Sequence, residues 1–329
     1  MDNVLTATCT HKNNPTGASL ATVATGIACS PIDPLDKTYT QAYPIEKLFL
    51  MRQSFTKYIA FAAGDYLVSD STTYAVKAVH PWPALGSLDL YYHLILEQTD
   101  LDPVIPYSDR VLGTSPIAYW PLWETEGEYA ECLACTPGQN GVYVEVTLAN
   151  ILGPDGVHYA PLFDGENDYV NIYSTIFRDA FNGNAGTLMI WVKIAEAVWT
   201  DGTLDFWLDL RVDTNNEARI IKSAANQIQW WYRAGGTINS ATKSGVTTTD
   251  WMCLGLTWDK EADQVQPYYN GDAEGAALTG LDVWAGVLGT CLIGAQTTVP
   301  ANPANAWEAQ CAIWASALSA AQIATLATV

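Results

Sequence analysis

The stretch Leu162-Phe-Asp-Gly-Glu-Asn-Asp-Tyr-Val170 decides the fold of most of this chain. Two short apolar runs flank an Asp-Gly pair and three further polar residues, which is the pattern of two strands joined by a tight loop. Three further motifs occur in order along the chain: Tyr119-Trp-Pro-Leu-Trp-Glu124 before it, and Thr249-Asp-Trp251 with Leu256-Thr-Trp-Asp259 and Ala312-Ile-Trp314 with Ala317-Leu-Ser-Ala-Ala-Gln-Ile323 after it. Residues 117–329 are therefore predicted to form one domain built mainly of strands.

Alternating apolar and polar residues fill the sequence between these motifs, as half-buried strands require. The alternation covers Val142-Tyr-Val-Glu-Val146, Leu188-Met-Ile-Trp-Val-Lys-Ile194, Leu204-Asp-Phe-Trp-Leu-Asp-Leu210 and Ile228-Gln-Trp-Trp-Tyr-Arg233. Gly235-Gly236 and Asn270-Gly271 lie between strand-like runs, where residues that accept positive φ reverse the chain. Ser319-x-x-Gln322 has the pattern of a capping box, which predicts a short helix at the end of the sequence.

Taken together, the motifs resemble the laminin-G-like, or concanavalin A-like, jelly rolls, and Tyr268-Tyr-Asn-Gly271 is similar to a strand-turn of that family. The resemblance implies a β-sandwich of two packed sheets. It also implies a protein that binds surfaces, sugars or other proteins rather than one that performs chemistry. The Glu-x-Asp-x-(x)-Glu strand of the related glucanases is absent from the sequence. We therefore expect no enzyme.

Two acids in one predicted strand are the nearest approach to a hydrolytic pair. Asp205 and Asp209 are four residues apart, and side chains at even spacing share one face of a regular strand. Such a pair serves as a polar outer face as easily as a site for hydrolysis.

The charge of the chain excludes several classes of partner. There are 35 acidic and 15 basic residues, for a net charge of -20, which opposes binding to a phosphate backbone or an anionic membrane. The first residues lack the basic and apolar segments of a secretory signal, and no run approaches the roughly 18 apolar residues that span a bilayer. We expect no direct nucleic-acid partner and no membrane insertion.

The length of 329 residues predicts two domains, since about 100 to 200 residues per domain is usual. We place a small β-barrel at 1–104, a linker at 105–116 and the β-sandwich at 117–329. Pro103 and Pro106 are expected to keep the connector extended and to prevent a helix there. The fold class is thus all-β, with a short helix at the end of the sandwich.

Short strand-like runs within the first hundred residues predict the barrel. They include Gly64-Asp-Tyr-Leu-Val68, Thr73-Tyr-Ala-Val-Lys-Ala-Val-His-Pro-Trp-Pro83 and Tyr92-His-Leu-Ile-Leu-Glu97, with turns at Gly64-Asp65 and Asp70-Ser-Thr72. These segments resemble the small head-tail joining proteins of tailed bacteriophages, also called head-closure or stopper proteins. The resemblance implies docking to portal or adaptor and tail proteins and assembly into a ring of identical copies. Any other small β-barrel is the alternative.

Three consecutive aromatic residues, Trp230, Trp231 and Tyr232, are the candidate ligand-binding residues. Aromatic faces contact the apolar side of a sugar ring, and alternation along a strand directs at least one of the three away from the core. Packing under a loop or at a subunit contact is the alternative that the sequence leaves open.

Calcium is the candidate cofactor, because relatives of the sandwich often bind it with loop Asp and Asn oxygens, the ligands that this hard cation prefers. Asp164, Asn167 and Asp168 are the candidate ligands, although the same segment also forms a turn in metal-free relatives. Cys132-x-x-Cys135 invites a zinc or redox interpretation, but a second pair of closely spaced ligands is missing from the sequence. Most of the seven cysteines are expected to be buried thiols.

The order of the two predicted domains suggests a function. An anchoring barrel followed by a lectin-like sandwich fits a structural protein of a tailed-phage virion, assembled in the host cytoplasm and located at the head-tail connector. The sandwich would then be a decoration or adhesion domain with a cell-surface glycan as its partner. The alternative is a cellular carbohydrate-binding or adhesion protein without catalytic activity.

Overall fold

The computed structural model describes residues 7–13, 21–29, 33–34, 51–56, 66–69, 72–82, 91–98, 106–135 and 139–329. The chain divides into two compact units, Met1–Pro106 and Tyr107–Val329. In the described residues, no helix is long and apolar enough to cross a membrane.

The first unit is a small antiparallel β-barrel, as the sequence predicts. Its described strands are β1 (Ala7–Asn13), β2 (Ala21–Cys29), β3 (Asp33–Pro34), β4 (Met51–Thr56), β5 (Tyr66–Ser69), β6 (Thr72–Trp82) and β7 (Tyr91–Gln98). They lie in the order β2-β1-β5-β6-β7-β4-β3, and an additional pairing of Cys29 with Thr56 joins β2 to β4. This pairing closes a ring of six strands, which removes exposed sheet edges.

Alternate residues of the barrel strands supply its interior. Leu67 on β5, Val76 on β6, and Leu94 and Leu96 on β7 are all buried, as the period of two along a strand requires. The predicted turn at Gly64-Asp65 lies outside the described residues, as do Asp70 and Ser71 of the second predicted turn and Pro83.

The second unit contains two antiparallel sheets of eight strands each. Sheet I consists of β9 (Tyr129–Ala130), β10 (Gly141–Val144), β13 (Tyr169–Asn171), β15 (Asp205–Asp213), β16 (Asn216–Lys222), β17 (Ile228–Ala234), β18 (Thr237–Lys243) and β22 (Thr290–Ile293). Sheet II consists of β8 (Ala118–Trp120), β11 (Thr147–Leu152), β12 (Tyr159–Asp164), β14 (Ala185–Lys193), β19 (Met252–Asp259), β20 (Gln264–Tyr269), β21 (Asp272–Ala273) and β23 (Asn305–Trp314). The short helices are α1 (Tyr107–Leu112), α2 (Thr175–Ala180) and α3 (Ala320–Leu326), with a 3₁₀ helix at Glu196–Thr200.

Aromatic residues join the two sheets across the main core. Trp258 of β19 and Tyr232 of β17 stack with ring centroids 5.6 Å apart. Both side chains donate a hydrogen bond to the Gly183 carbonyl, Tyr232 Oη at 2.9 Å and Trp258 Nε1 at 3.0 Å. A buried indole or phenol keeps its polar atom paired in this way, so one carbonyl fixes the relative position of two strands from different sheets.

A second core covers the outer face of sheet II. Ile323 and Leu326 of α3 lie in it beside Trp191 and Trp314. The predicted capping box of α3 is confirmed: Ser319 Oγ accepts from the Gln322 N–H, and the Gln322 side chain accepts from the Ser319 N–H.

The predicted extended linker at 105–116 differs from the structure. Tyr107–Leu112 form α1, and the Trp191 indole donates to the Tyr107 hydroxyl at 2.9 Å. Pro106 directly precedes this helix, where proline is tolerated because the first helical N–H groups have no intrahelical partner. The burial of Tyr107 and Val111 on the sandwich stabilises a helix that local sequence does not predict.

The cysteines of the second unit are of two kinds. Cys253, Cys291 and Cys311 are buried free thiols, and burial raises the pKa of each above its usual value. Cys132 and Cys135 form a disulfide. The disulfide, rather than a zinc site, is therefore the role of the Cys-x-x-Cys motif in this structure.

The variant Gly186→Ala should test the main core. A Cβ at residue 186 would lie 2.3 Å from Cζ2 of the Trp258 indole, which cannot move without losing its bond to Gly183. We expect a loss of roughly 1–3 kcal/mol, as for other overpacked cores, measured by urea unfolding. Gly289→Ala is the matched control, because its added Cβ would approach only the Val212 carbonyl oxygen, at 3.9 Å. Equal stability of both variants would contradict this account of the core.

Candidate functional site

The three predicted aromatic ligand contacts lie on β17 and face in alternate directions. Trp230 and Tyr232 are 1% and 0% exposed and belong to the main core. These two residues are therefore core residues rather than ligand contacts. Trp231 is half-buried on the outer face of sheet I. The guanidinium groups of Arg219 and Arg233 lie 4.5 Å and 5.7 Å from its ring centroid, so its ring already packs against charged side chains.

A network of charges surrounds Trp231 on this outer face. Glu217 lies between two guanidinium groups, 3.2 Å from Arg219 Nη1 and 3.1 Å from Arg233 Nη1. Asp209 is fully buried beside Arg211, at 3.6 Å. Burial raises the pKa of Asp209 to about 7, and the attraction of Arg211 and Arg219 opposes this rise only in part. The face thus carries compensated pairs of charges rather than an open platform for stacking.

Asp205 and Asp209 do not share a face, although their spacing in the sequence suggests that they do. Asp205 pairs with Lys222 and Asp209 with Arg219 on β16, with a register shift between Phe206 and Leu208. This bulge inserts one extra residue, so the two carboxylates point to opposite faces of the sheet. They cannot form the carboxylate pair that glycoside hydrolysis needs.

The three candidate calcium ligands lie around one turn. Asp164 Oδ1 accepts from the Glu166 N–H at 2.9 Å, and Asp168 Oδ2 accepts from the Asp164 N–H at 2.7 Å. Asp168 is buried, which raises its pKa to about 6, whereas Asn167 is exposed. Two carboxylates are occupied by the turn itself, and the described part of the chain holds no group of three or more His, Cys, Asp or Glu suited to a metal ion.

A polar cavity lies at the rim of the sandwich and is here named the rim pocket. Its volume is about 400 Å³. Segments from both sheets and the loops between them supply its lining: Gly165, Asp201, Thr203, Leu204, Asp205, Asn302, Pro303 and Asn305. Amide, hydroxyl and carboxylate groups thus outnumber the apolar side chains that line it.

Lys222 lies beneath the rim pocket and is fully buried. Its ammonium group donates to Asp201 Oδ1 at 2.8 Å, to the Thr203 carbonyl at 2.9 Å and to Thr203 Oγ1 at 3.2 Å. Asp205 Oδ2 lies 3.3 Å away. A buried ammonium requires such partners, since an unpaired buried charge is costly.

The carboxyl groups around Lys222 differ in their acidity. Burial raises the pKa of Asp205 despite the opposing attraction of Lys222. At Asp201 burial also acts to raise the pKa, but hydrogen bonds from Lys222 and Thr203 outweigh it and lower the pKa. Glu308 of β23 is fully buried, and burial together with the charge of Asp205 raises its pKa well above the usual range.

Among the residues that line the rim pocket, the sequence singles out only Asp205 as a candidate for chemistry, as one member of the Asp205 and Asp209 pair. The lining residues come from segments around 165, 201–205 and 302–305, which meet only when the two sheets pack.

Comparison with known proteins identifies the class of the sandwich. Residues 164–324 match the laminin G family of the concanavalin A-like lectin/glucanases superfamily, so this region is a concanavalin A-like lectin/glucanase domain. No curated protein matches the chain.

Several solved structures are similar to the chain, and three of them follow. The first is a mutant of HCR/D, with 14% sequence identity and a TM-score of 0.49, covering 65% of this chain and 51% of that chain. The second is the ligand binding domain of botulinum neurotoxin serotype D in complex with N-acetylneuraminic acid, with 15% identity and a TM-score of 0.47, covering 65% of this chain and 50% of that chain. The third is the binding domain of botulinum neurotoxin DC in complex with rat synaptotagmin II. The chain spans about half the length of these structures.

The variant Asp209→Asn should alter the pH dependence of the free energy of unfolding, because it removes the buried carboxyl group. The folded pKa of about 7 lies above the usual 3.8, so the folded state retains a proton that the unfolded state releases between those values. The free energy of unfolding should therefore fall as pH rises from about 4 to 7, by up to about 4 kcal/mol from this group. The neutral amide removes that contribution.

Urea unfolding at pH 5 and pH 8 measures the effect. The loss of stability between the two pH values should be smaller for Asp209→Asn than for the unmodified protein. Asp272→Asn, at an exposed position on β21, is the control and should leave the pH dependence unchanged. An unchanged pH dependence in Asp209→Asn would show that this carboxyl group is ionised in the folded protein at both pH values.

Proposed function

We propose that the sandwich is a non-catalytic carbohydrate-binding domain and that the rim pocket is its binding site. The observation that carries this proposal is the lining of the pocket by amides, hydroxyls and carboxylates, which both donate and accept hydrogen bonds. Sugar hydroxyl groups require both kinds of partner. Asp201, Thr203 and Asn305 are exposed residues, and the Asp201 side chain is 26% exposed, so a ligand can reach this lining without a rearrangement.

The charge of the rim pocket favours a neutral sugar. Two carboxylates, Asp201 and Asp205, face a single ammonium group, Lys222, within a chain of net charge -20. A sialic or uronic acid would bring a further negative charge into this surface, which is unfavourable. Neutral hexoses and N-acetylhexosamines are therefore the proposed class of ligand.

Catalysis is not part of the proposal, because the two acids nearest to a hydrolytic pair lie on opposite faces of sheet I. Binding without turnover suits an attachment function, in which a weak site is repeated on many copies and gains avidity.

We propose further that the complete chain is a virion structural protein of a tailed phage, with the barrel as its anchor at the head-tail connector. A closed ring of six strands preceding a lectin-like sandwich supports this arrangement. Portal or adaptor and tail proteins would be the partners of a ring of barrels, and the sandwich would face a cell-surface glycan. A cellular adhesion protein without catalytic activity is the alternative, favoured by the lectin-like fold of the sandwich alone.

Gold-labelled antibody against the sandwich, applied to particles from the source culture, tests the location. Label at the neck between head and tail supports the connector proposal. Label spread over the head would make the protein a head decoration and would refute the connector role. Label on cells and none on particles would refute the virion proposal in favour of adhesion.

The variants Thr203→Val and Asn305→Ala test the rim pocket. Each removes polar atoms from its lining, and each should weaken the binding of a neutral oligosaccharide about five- to tenfold, which is the usual effect of one lost hydrogen bond. An array of neutral and sialylated oligosaccharides finds the ligand, and titration calorimetry with the full chain measures its affinity.

Thr242→Val is the matched control, because Thr242 is exposed on β18, far along sheet I from the pocket strands. It should bind the oligosaccharide like the unmodified protein. Thermal unfolding of each variant verifies its folding. Unaltered affinity in both pocket variants would locate the binding site elsewhere.

A further inference from the structure

The surroundings of the Lys222 ammonium group are unusual for a lysine. The side chain is 0% exposed, and lysine is almost never fully buried unless it is paired. Four oxygen atoms lie within 3.3 Å of Nζ, from Asp201, Thr203 and Asp205. One segment of the chain, the loop 201–204 with the first residue of β15, thus surrounds a single positive charge that the last residue of β16 supplies.

The chemical nature of these four atoms is that of a site for a hard cation. They are two carboxylate oxygens, one backbone carbonyl and one hydroxyl, and carboxylate and carbonyl oxygens are the protein ligands that calcium takes. An ammonium group has only three protons to donate. Asp205 Oδ2 is buried and receives no hydrogen bond, so its interaction with Lys222 is that of two charges rather than of a donor and an acceptor.

We propose that the Lys222 ammonium group takes the place of a bound metal cation in the rim pocket. The chain supplies its own cation, which neutralises Asp201 and Asp205 and holds the Asp201–Asp205 segment in position. Ligand binding at the rim pocket is consequently independent of calcium. Removal of the ammonium group leaves an oxygen site that binds a divalent cation. The first consequence rests on the proposed carbohydrate function, whereas the second does not.

The position of the site explains how a metal ion would reach it. Asp201 is 26% exposed and lines the open rim pocket together with Thr203 and Asp205. Without Lys222, at least two carboxyl groups are left without a cation, and a divalent ion from solvent restores the balance of charge.

The variant Lys222→Ala in the full chain tests this proposal. Calcium should bind to it, and terbium should give sensitised luminescence that calcium displaces. Calcium at about 100-fold above its Kd should raise the Tm of the variant by roughly 5–10 °C. The unmodified protein should show neither effect.

Lys243→Ala is the matched control. Lys243 also forms an ion pair, with Glu274 at 2.7 Å, but it is partly exposed and faces a single carboxylate. Its removal should create no metal site. Equal terbium luminescence from Lys222→Ala and Lys243→Ala, with both folded, would overturn the proposal.

A second variant keeps the test decisive if Lys222→Ala does not fold with or without calcium. Lys222→Gln replaces the ammonium group with a shorter neutral amide that still carries N–H donors, so it should fold and gain calcium-dependent stability. A folded Lys222→Gln whose Tm does not respond to calcium would refute the proposal.

Oligosaccharide titrations of the unmodified protein with EDTA and with calcium should give equal affinities. A requirement for calcium would independently refute the proposal that Lys222 replaces a metal cation. Absence of any oligosaccharide binding would refute only the carbohydrate function.

Discussion

Two hydrogen bonds to one carbonyl hold the sandwich together. Trp258 from sheet II and Tyr232 from sheet I both donate to Gly183, and a Cβ at residue 183 would lie 2.1 Å from the Trp284 indole. Glycine is therefore required at the point where the aromatic rings of both sheets meet. Since protein cores are close-packed, this joint sets the spacing of the sheets. The rim pocket depends on that spacing, because its lining comes from loops that connect strands of both sheets.

One bulge in β15 separates two kinds of acidic site. Before the register shift, Asp205 faces Lys222 at the rim; after it, Asp209 faces Arg219 on the outer side of sheet I. In an unbroken strand the two acids would lie on one face. The bulge thus divides a potential carboxylate pair into an ion pair beneath a pocket and a buried carboxyl group within a network of arginines. This single inserted residue thus prevents Asp205 and Asp209 from acting as a pair on one face.

The sequence predicts what neighbouring residues determine. Strand alternation, the Asn270-Gly271 turn and the Ser319 capping box all appear in the structure, because each depends on interactions within a few residues. Helix α1 is not predicted, since its stability comes from the contact of Tyr107 with Trp191, 84 residues away. The same limitation affects the candidate ligand-binding residues. Trp230 and Tyr232 are aromatic residues of the kind that stack on sugar rings, but packing between the sheets buries them. The rim pocket has no local signature because three distant segments form it.

Charge compensation within the sandwich limits the affinity that a single site can have for a ligand. Arg219 and Arg233 pair with Glu217, and Lys222 pairs with Asp201 and Asp205, so these cations are already occupied by carboxylates of the same chain. A ligand at the rim pocket must then gain affinity from hydrogen bonds that replace those of water, and each such bond contributes only about 1 kcal/mol. Weak binding by one copy follows from this chemistry. Attachment by such a domain requires many copies held together, since linked weak sites gain affinity without new contacts. Under the proposed function, a barrel that assembles into a ring would supply that multiplicity.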